Sequence, residues 1–203
     1  VAGTGEILGA NSQPLTSQRK SPRHEQNPED WWRATSVACR AALADLPVAA
    51  IRGVAVDGTS GTILLVDHQG RPLTPGLMYD DNRALEEARI ANEVGATVWA
   101  TLGYQMQPSW ALPKLLWLLR EYREAHTDLQ AGSKVLHQND FVNRHLMGHE
   151  VPTDTSSSLK MGYDLLKNAW PQEVFDRLAI PEALLPDVVR AGTPIGTVCA
   201  QAA

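Results

Sequence analysis

The chain has 203 residues, of which 43% are hydrophobic and 20% are charged, and this composition predicts a folded globular domain. A net charge of −5 argues against nucleic-acid binding, which needs a concentration of basic residues. Apolar runs are too short to cross a membrane, and only two distant cysteines, Cys39 and Cys199, are present. We therefore expect a cytoplasmic protein without a disulfide framework, a metal site or a membrane partner.

The first 45 residues predict a hairpin, a surface connection and a helix. Residues 1–11 place a GTGE turn before Ile7 and Leu8, which favours a short hairpin. Residues 11–28 are polar and broken by prolines, so we expect a surface connection whose basic side chains are solvated. Asn27 followed by proline and two acids predicts a helix start, and helical spacing continues to Asp45. At least one of the tryptophans at 31 and 32 is expected in the core.

The central stretch, residues 51–66, predicts a strand, a tight loop and a second strand. Apolar residues at 51–56 and 63–66 flank the loop Asp57-Gly-Thr-Ser-Gly-Thr62. Glycines permit unusual backbone angles there, and the loop offers hydroxyl and amide groups. Such a loop can hold either a polyhydroxylated ligand or a phosphate, so both alternatives stay open on the residues alone.

A short apolar piece, residues 76–79, then delivers charged side chains to a predicted strand end. Asp80, Asp81 and Arg83 follow it directly. Charged and hydroxyl groups should therefore gather at one edge of the sheet.

These two segments together resemble the amino-terminal domain of the FGGY family of carbohydrate kinases. VAVDGTSGTILLVDHQG is followed by YDDNRA, which is similar to the family's aromatic-x-Asp-x-Arg element, with Tyr79 at the aromatic position. The resemblance implies an α/β fold: a ribonuclease-H-like (actin-like ATPase) lobe with a mixed sheet flanked by helices, truncated at both ends. It extends over nearly the whole chain, so residues 1–203 are expected to form an incomplete amino-terminal, sugar-binding domain. The DGTSGT form is most similar to kinases of ketopentoses such as D-ribulose.

The later elements are also similar to the family's pattern. Residues 108–113 form a rigid entry into a helix predicted over 114–126, and the family places ligand contacts just before this helix. A strand at 134–137 and a helix at 141–147 follow, after which Asp154 is interpreted as a helix cap rather than a catalytic group. The resemblance implies that the sugar is bound by Thr59, Ser60, Gly61, Tyr79, Asp81, Arg83 and Ser109.

The resemblance also implies what the chain does not contain. In the family, the catalytic base is an aspartate in a Gly-x-x-Asp segment just after this lobe, so we expect it beyond Ala203 and assign no catalytic residue here. ATP and Mg²⁺ are the implied cofactors, held mostly by a second domain. The expected function is ATP-dependent phosphorylation of a sugar hydroxyl, with a ketopentose such as D-ribulose or D-xylulose as substrate. The isolated chain should be inactive and should self-associate through exposed strand edges.

Two alternatives remain at this stage. The DGTSGT loop is also similar in residue types to the phosphate loop of actin-like ATPases, although that loop normally opens the fold. The chain could also be a non-catalytic binding or interaction module that keeps the lobe without phosphotransfer.

Overall fold

The main sheet of the protein has five strands, and a smaller sheet has two. The computed structural model describes residues 1–203. The strands are β1 (Ser17–Lys20), β2 (Arg23–Gln26), β3 (Ile63–Val66), β4 (Gly76–Leu77), β5 (Lys134–His137), β6 (Thr153–Asp154) and β7 (Val188–Val189). The order in the main sheet is β1-β2-β4-β3-β5 with antiparallel neighbours, whereas β6 and β7 pair in parallel.

Helices cover both faces of the main sheet. They are α1 (Pro28–Leu43), α2 (Leu85–Val94), α3 (Ala96–Leu102), α4 (Ala111–Glu124), α5 (Gln138–Met147), α6 (Thr155–Ser158) and α7 (Gln172–Arg177), with short 3₁₀ turns at Val48–Ala50, Leu159–Met161 and Glu182–Leu184. No helix combines the length and apolar character needed to span a bilayer.

Alternation along β3 divides the core into two layers. Ile63 and Leu65 pack into the larger cluster, on the side of α4, whereas Leu64 and Val66 pack into a smaller cluster with side chains of α1 and α5. Successive strand residues point to opposite faces, so four apolar residues in a row serve both layers. The arrangement confirms the expected α/β lobe with a sheet flanked by helices.

The predicted helix after Asn27 is confirmed. The Asn27 side chain accepts a hydrogen bond from the Glu29 amide at 3.1 Å, and Pro28 begins the helix. Trp31 is buried and meets Phe141 of α5 edge-on, as the prediction of a core tryptophan requires. Helix α1 is thereby fixed on the β3–β5 side of the sheet.

The strand predicted at residues 51–56 was wrong. This segment pairs with no strand, and residues 52–56 make no main-chain hydrogen bond to another main-chain group. Val54 has 59% of its surface exposed. An apolar run becomes a strand only where a neighbouring strand supplies hydrogen-bond partners, and the chain provides none beside this segment.

The opening hairpin forms only its turn. The amide of Ala2 donates to Glu6 O at 2.8 Å and that of Gly5 to Ala2 O at 2.9 Å, but no strands continue from the turn. Ile7 and Leu8 are exposed. The reason is the same: the return segment lacks a partner strand.

The surface connection expected at residues 11–28 is instead a hairpin made of β1 and β2. It joins the main sheet because β2 pairs with β4, with Glu25 opposite Leu77. His24 is buried rather than solvated. The polar sequence of this hairpin did not indicate that β2 would pair with β4 and contact the turn that follows it.

Candidate functional site

The loop between residues 57 and 62 is held by its own threonines. The Thr59 and Thr62 hydroxyls lie 2.6 Å apart, and the Thr62 amide donates to Thr59 O at 3.1 Å. Thr62 is fully buried at the start of β3. The turn is therefore closed without help from the side chain of Ser60.

Gln138, the first residue of α5, anchors the outer half of this loop. Its side-chain oxygen accepts the Thr59 amide at 3.2 Å and the Thr59 hydroxyl at 3.1 Å, while the Gly58 amide donates to Asp57 at 2.9 Å. Three of the loop amides, those of Gly58, Thr59 and Thr62, are thus engaged within the chain. A phosphate cradle needs several free converging amides, and among residues 58–62 only those of Ser60 and Gly61 lack a partner within the chain, which favours the sugar alternative over the phosphate alternative.

Gly61 lies where three segments meet. Its φ of +92° belongs to the left-handed region, and a Cβ there would approach Lys160 Cδ to 3.2 Å and Ser109 O to 3.4 Å. The Lys160 ammonium donates to Ser60 O at 3.1 Å, across 100 positions of sequence. The structure therefore brings Ser60, Gly61 and Ser109 together, and it adds Lys160 to them.

Ser60 is half-buried at the apex of this loop. Its hydroxyl makes no hydrogen bond within the chain, whereas its carbonyl is bound by Lys160. The hydroxyl is free to donate to and accept from a ligand hydroxyl.

Asp81 and Arg83 form a buried ion pair after β4. Asp81 Oδ2 accepts the His24 amide at 2.7 Å and Arg83 Nη2 at 2.6 Å, and Oδ1 accepts Arg83 Nε at 2.9 Å. Arg83 also meets Glu25 of β2 at 2.6 Å and lies 4.7 Å from the centroid of the Trp117 ring. Both oxygens of Asp81 are occupied by protein donors, whereas Nη1 of Arg83 has no hydrogen-bond partner within the chain.

The electrostatics of this pair follow from burial and hydrogen bonding together. Burial alone would raise the pKa of Asp81, but the hydrogen bonds from Arg83 and from the His24 amide hold it below its ordinary value. For Arg83, burial alone would lower the pKa, and Asp81 and Glu25 raise it above its ordinary value. The pair is therefore ionised at neutral pH.

The neighbouring Asp80 ties the same turn to the β1–β2 hairpin. It pairs with Arg19 at 2.9 Å and with the ring Nδ1 of His24, and the amide of Asn82 donates to Pro22 O at 3.0 Å. Tyr79 makes none of these contacts and is exposed. The structure thus places the Tyr79 ring at the surface, apart from the contacts that join Ser60, Gly61 and Ser109.

Asp154 acts as the predicted cap. Its Oδ1 accepts the amides of Ser156 at 2.7 Å and Ser157 at 3.0 Å at the start of α6, and its Oδ2 accepts the Asn139 side chain at 3.0 Å. All of its acceptor sites face protein donors. This occupancy agrees with a structural rather than a catalytic aspartate.

Sequence reasoning assigned no part in the site to Lys114, Lys160 or His24. Lys114 could have been found, because it stands in a run of apolar residues on the buried face of α4. Lys160 and His24 carry no such signal, since their partners, Ser60 and Asp80, are distant in sequence. Only the three-dimensional fold brings them together.

The fold and the site define the class: an α/β lobe whose polar edge can hold a polyhydroxylated ligand. A comparison with known families specifies it further, since the model of the N-terminal domain of the FGGY family of carbohydrate kinases matches residues 1–203. The chain belongs to this family.

Curated relatives agree with this assignment. The chain is 31% identical over 204 residues to a xylulose kinase of Streptomyces coelicolor, covering 97% of this chain and 40% of the relative. It is 27% identical over 184 residues to a xylulose kinase of Klebsiella pneumoniae, covering 90% of this chain and 37% of the relative. A glycerol kinase of Aromatoleum aromaticum is 28% identical, with 97% of this chain and 42% of the relative covered. The chain thus spans about two fifths of the length of these relatives.

Solved structures share the fold. A xylulose kinase from Brucella ovis superposes with a TM-score of 0.88 at 25% identity, over 99% of this chain and 41% of the other. The xylulose kinase of Rhodospirillum rubrum gives a TM-score of 0.81 at 22% identity, over 94% and 39%. These neighbours establish the lobe as an actin-like kinase fold.

Proposed function

We propose that the chain is the sugar-binding lobe of a kinase that transfers phosphate from ATP to a hydroxyl of a ketopentose, such as D-xylulose or D-ribulose. The loop at 59–61 meets the sugar hydroxyls, Ser109 closes one side, and Tyr79 lines the outer surface. Asp81 and Arg83 shape the wall. In this proposal, the nucleotide is held by a second domain outside residues 1–203.

The observation that carries this proposal is the meeting of Ser60, Gly61, Ser109 and Lys160 from distant parts of the chain. A free hydroxyl and a lysine with two further donors suit a ligand that both donates and accepts hydrogen bonds. No carboxylate lies within ion-pairing distance of Lys160. Such a site recognises hydroxyl and carbonyl oxygens, which is the surface of a ketose.

The residues of this lobe bind and orient the sugar. Sugar kinases need one hydroxyl placed in line with the γ-phosphate and a carboxylate to accept its proton. Ser60 and Lys160 would fix the sugar oxygens, and the Asp81–Arg83 pair would keep the adjoining turn rigid. The accepting carboxylate is proposed to follow residue 203.

ATP and Mg²⁺ are the cofactors proposed for the whole kinase. Residues 1–203 contain no group of three His, Cys, Asp or Glu side chains placed to hold a metal ion. The residues of this lobe therefore do not fit a metal site, and we assign no metal-dependent step of the reaction to them. We propose a cytoplasmic location for the whole kinase, where ATP is available to it.

The test is a coupled assay of ADP release by the complete gene product with D-xylulose, D-ribulose and glycerol. We expect the highest kcat/KM with one of the two ketopentoses. Preference for glycerol would reject a ketopentose as the substrate. If none of the three substrates increases ADP release, the result would favour the alternative, a binding module without phosphotransfer.

A further inference from the structure

Lys114 is a fully buried lysine that connects α4 to the turn carrying the aromatic-x-Asp-x-Arg element. It has 0% of its surface exposed. Its Nζ donates to Met78 O at 2.8 Å and to Leu77 O at 3.3 Å. The lysine therefore holds the last residue of β4 and the first residue of the following turn.

Met78 O is a shared acceptor at the heart of this turn. It also accepts the Asp81 amide at 3.0 Å, while the Met78 amide donates to His24 O at 3.0 Å. The Lys114 bond thus acts on the same carbonyl that closes the turn presenting Tyr79 and Asp81. A displacement of this carbonyl would move the whole element.

The surroundings of Lys114 offer it little compensation for burial. The charged groups that face it are Asp80, Asp81 and Arg83 from the turn and Lys160 from the 3₁₀ turn after α6, and the titratable His137 at the end of β5 is kept neutral because burial lowers its pKa to about 4. Asp81 is already paired with Arg83, and no carboxylate oxygen lies within 4.0 Å of Lys114 Nζ. Burial lowers the pKa of Lys114 to about 7.

A buried lysine without a dedicated counter-ion does not stabilise a fold. An apolar side chain of similar length would fill the same space on α4 at lower cost. The position of Lys114 is explained by what it does to the turn rather than by stability.

The second lysine of the site makes the same kind of contact on the opposite segment. Lys160 binds the carbonyl of Ser60, and Lys114 binds those of Leu77 and Met78. Each of the two candidate sugar-facing segments is therefore held through its main chain by a lysine from a distant element. The relative position of the two segments depends on both contacts.

We propose that Lys114 is a positioning residue for sugar binding, which sets the turn at 78–81 against the loop at 59–61 without touching the sugar. This inference rests on the proposed function. The inference goes beyond the proposed function because it assigns the positioning of the site to a residue on the buried face of α4.

The decisive variant is Lys114→Met in the complete gene product, with Lys134→Met as a matched control. Lys134 also donates to a main-chain carbonyl, that of Leu185 at 3.2 Å, but it pairs with Val66 at the far end of β3. We expect Lys114→Met to raise the sugar KM by about tenfold or more, with the KM for ATP changed less than about twofold and the melting temperature unchanged or higher. The control should leave the sugar KM unchanged.

A second variant tests whether hydrogen bonding is the cause. Lys114→Gln keeps an N–H donor without charge, so it should recover part of the loss seen with methionine. An unchanged sugar KM in Lys114→Met would overturn the proposal. So would a loss of activity that disappears once the folded fraction is corrected.

A measurement independent of catalysis separates this inference from the proposed function. In the 203-residue chain, amide NMR signals of residues 79–83 should shift in Lys114→Met and stay in place in Lys134→Met. If the unsubstituted gene product phosphorylates no sugar, the proposed function is wrong, and these shifts still decide whether Lys114 positions the turn. Unmoved signals would reject the positioning role.

Discussion

Ser60 illustrates how one free hydroxyl distinguishes two readings of a loop. A Ser in a Gly- and Thr-rich turn often holds the turn by bonding a nearby amide. Here the Thr59–Thr62 hydroxyl pair does that work at 2.6 Å, and the Ser60 hydroxyl makes no bond within the chain. A role in binding the sugar is therefore the better interpretation of Ser60.

We expect Ser60→Ala in the complete gene product to lower kcat/KM for the sugar by roughly ten to a hundredfold. A lost ligand hydrogen bond costs on the order of 1 to 3 kcal/mol, according to how well the sugar oxygen is left solvated. The melting temperature should barely change. Thr62→Val is the matched control, because it breaks the turn-closing pair and should lower the melting temperature. Unaltered efficiency on all three test substrates in Ser60→Ala would remove Ser60 from the site.

The burial of Asp140 makes the stability of the folded chain depend on pH, which the sequence does not reveal. It is buried in the first turn of α5, where Oδ2 accepts the His137 amide at 3.0 Å. Burial raises its pKa to about 7, opposed by that hydrogen bond and supported by the charge of Asp154.

The sign of this shift predicts a pH dependence. Between roughly pH 4 and 7 the folded state keeps the proton that the unfolded state releases, so this group lowers the free energy of unfolding as pH rises. Asp140→Asn removes this loss of unfolding free energy. The size of the pKa shift limits the gain to at most about 4 kcal/mol. Urea unfolding should show that Asp140→Asn increases the free energy of unfolding, relative to the unsubstituted protein, more at pH 8 than at pH 5.

Asp67→Asn is the comparison for this experiment. Burial alone would raise the pKa of Asp67, but hydrogen bonds from Arg71 and the Gln69 amide hold it below its ordinary value. The Asp67 carboxylate is then ionised at both pH values, so the effect of its removal should be the same at each. If Asp140→Asn also changed the free energy of unfolding by the same amount at pH 5 and pH 8, the raised pKa of Asp140 would be contradicted.

Among secondary-structure elements, the β1–β2 hairpin has the largest unexpected role. Its His24 and Glu25 bind Asp80, Asp81 and Arg83, so the hairpin clamps the aromatic-x-Asp-x-Arg element against the sheet. A polar segment with prolines predicted only a surface connection. Periodicity cannot predict this contact, because it depends on partners more than 50 positions away.

Removing the charge at the centre of this clamp should destabilise the lobe. Asp81→Asn leaves Glu25 as the one carboxylate partner of Arg83, and we expect this weakened buried pair to cost on the order of 1 to 3 kcal/mol of unfolding free energy at pH 7. The pKa of Asp81 lies below its ordinary value, so its contribution is present above roughly pH 4 and is lost as pH falls further. The gap between variant and unsubstituted protein should therefore narrow in denaturant titrations as the pH is lowered below about 4.

Asp67→Asn again supplies the contrast for Asp81→Asn. It also removes a buried carboxylate, one that binds Arg71 at 2.7 Å in the turn after β3. Both variants should lose stability, but only Asp81→Asn should raise the sugar KM after correction for the folded fraction. Equal effects on the sugar KM would show that the clamp does not act on the site.

The elements predicted correctly are those whose signals are local. Asn27 and Pro28 fix the start of α1, and the apolar face of α4 follows its sequence period. The segment at 51–56 failed because a strand depends on a neighbour as well as on its own residues. For the site, the loop and its glycine were predictable, and Lys114 stands out as a charged residue in the apolar run of α4, whereas the contact of Lys160 with Ser60 is fixed by the tertiary fold alone.

Taken as a whole, the 203-residue chain exposes apolar side chains in two segments without strand pairing, near residues 7–8 and 51–54. Ile7, Leu8, Ile51 and Val54 are all exposed, and the backbone between 52 and 56 has no main-chain partner. Unpaired backbone with apolar side chains favours association between copies.

Light scattering should therefore show concentration-dependent association of the isolated chain. Val54→Lys should reduce it, because a charge in the unpaired segment opposes pairing. Leu166→Lys, at another exposed leucine away from this segment, should not. A monomer at all concentrations with a high melting temperature would contradict the expectation.

The isolated chain should release no ADP in the presence of sugar, whereas the complete gene product should. A general base needs a carboxylate that is free to reach the reacting hydroxyl. Asp81 is saturated by Arg83 and the His24 amide, and Asp154 by the helix it caps. Asp57 accepts its neighbouring amide at 2.9 Å and is the least constrained of the three.

The assay for this prediction is coupled ADP detection with D-xylulose, D-ribulose and glycerol at equal concentrations of the two proteins. A Ser60→Ala version of the isolated chain controls for contaminating kinases, because their activity would persist in it undiminished. Sugar-dependent ADP release that falls in Ser60→Ala and vanishes in Asp57→Asn would refute the prediction and make Asp57 the base. ADP release that is equal in all preparations would come from contaminating host kinases, and the prediction that the isolated chain is inactive would stand.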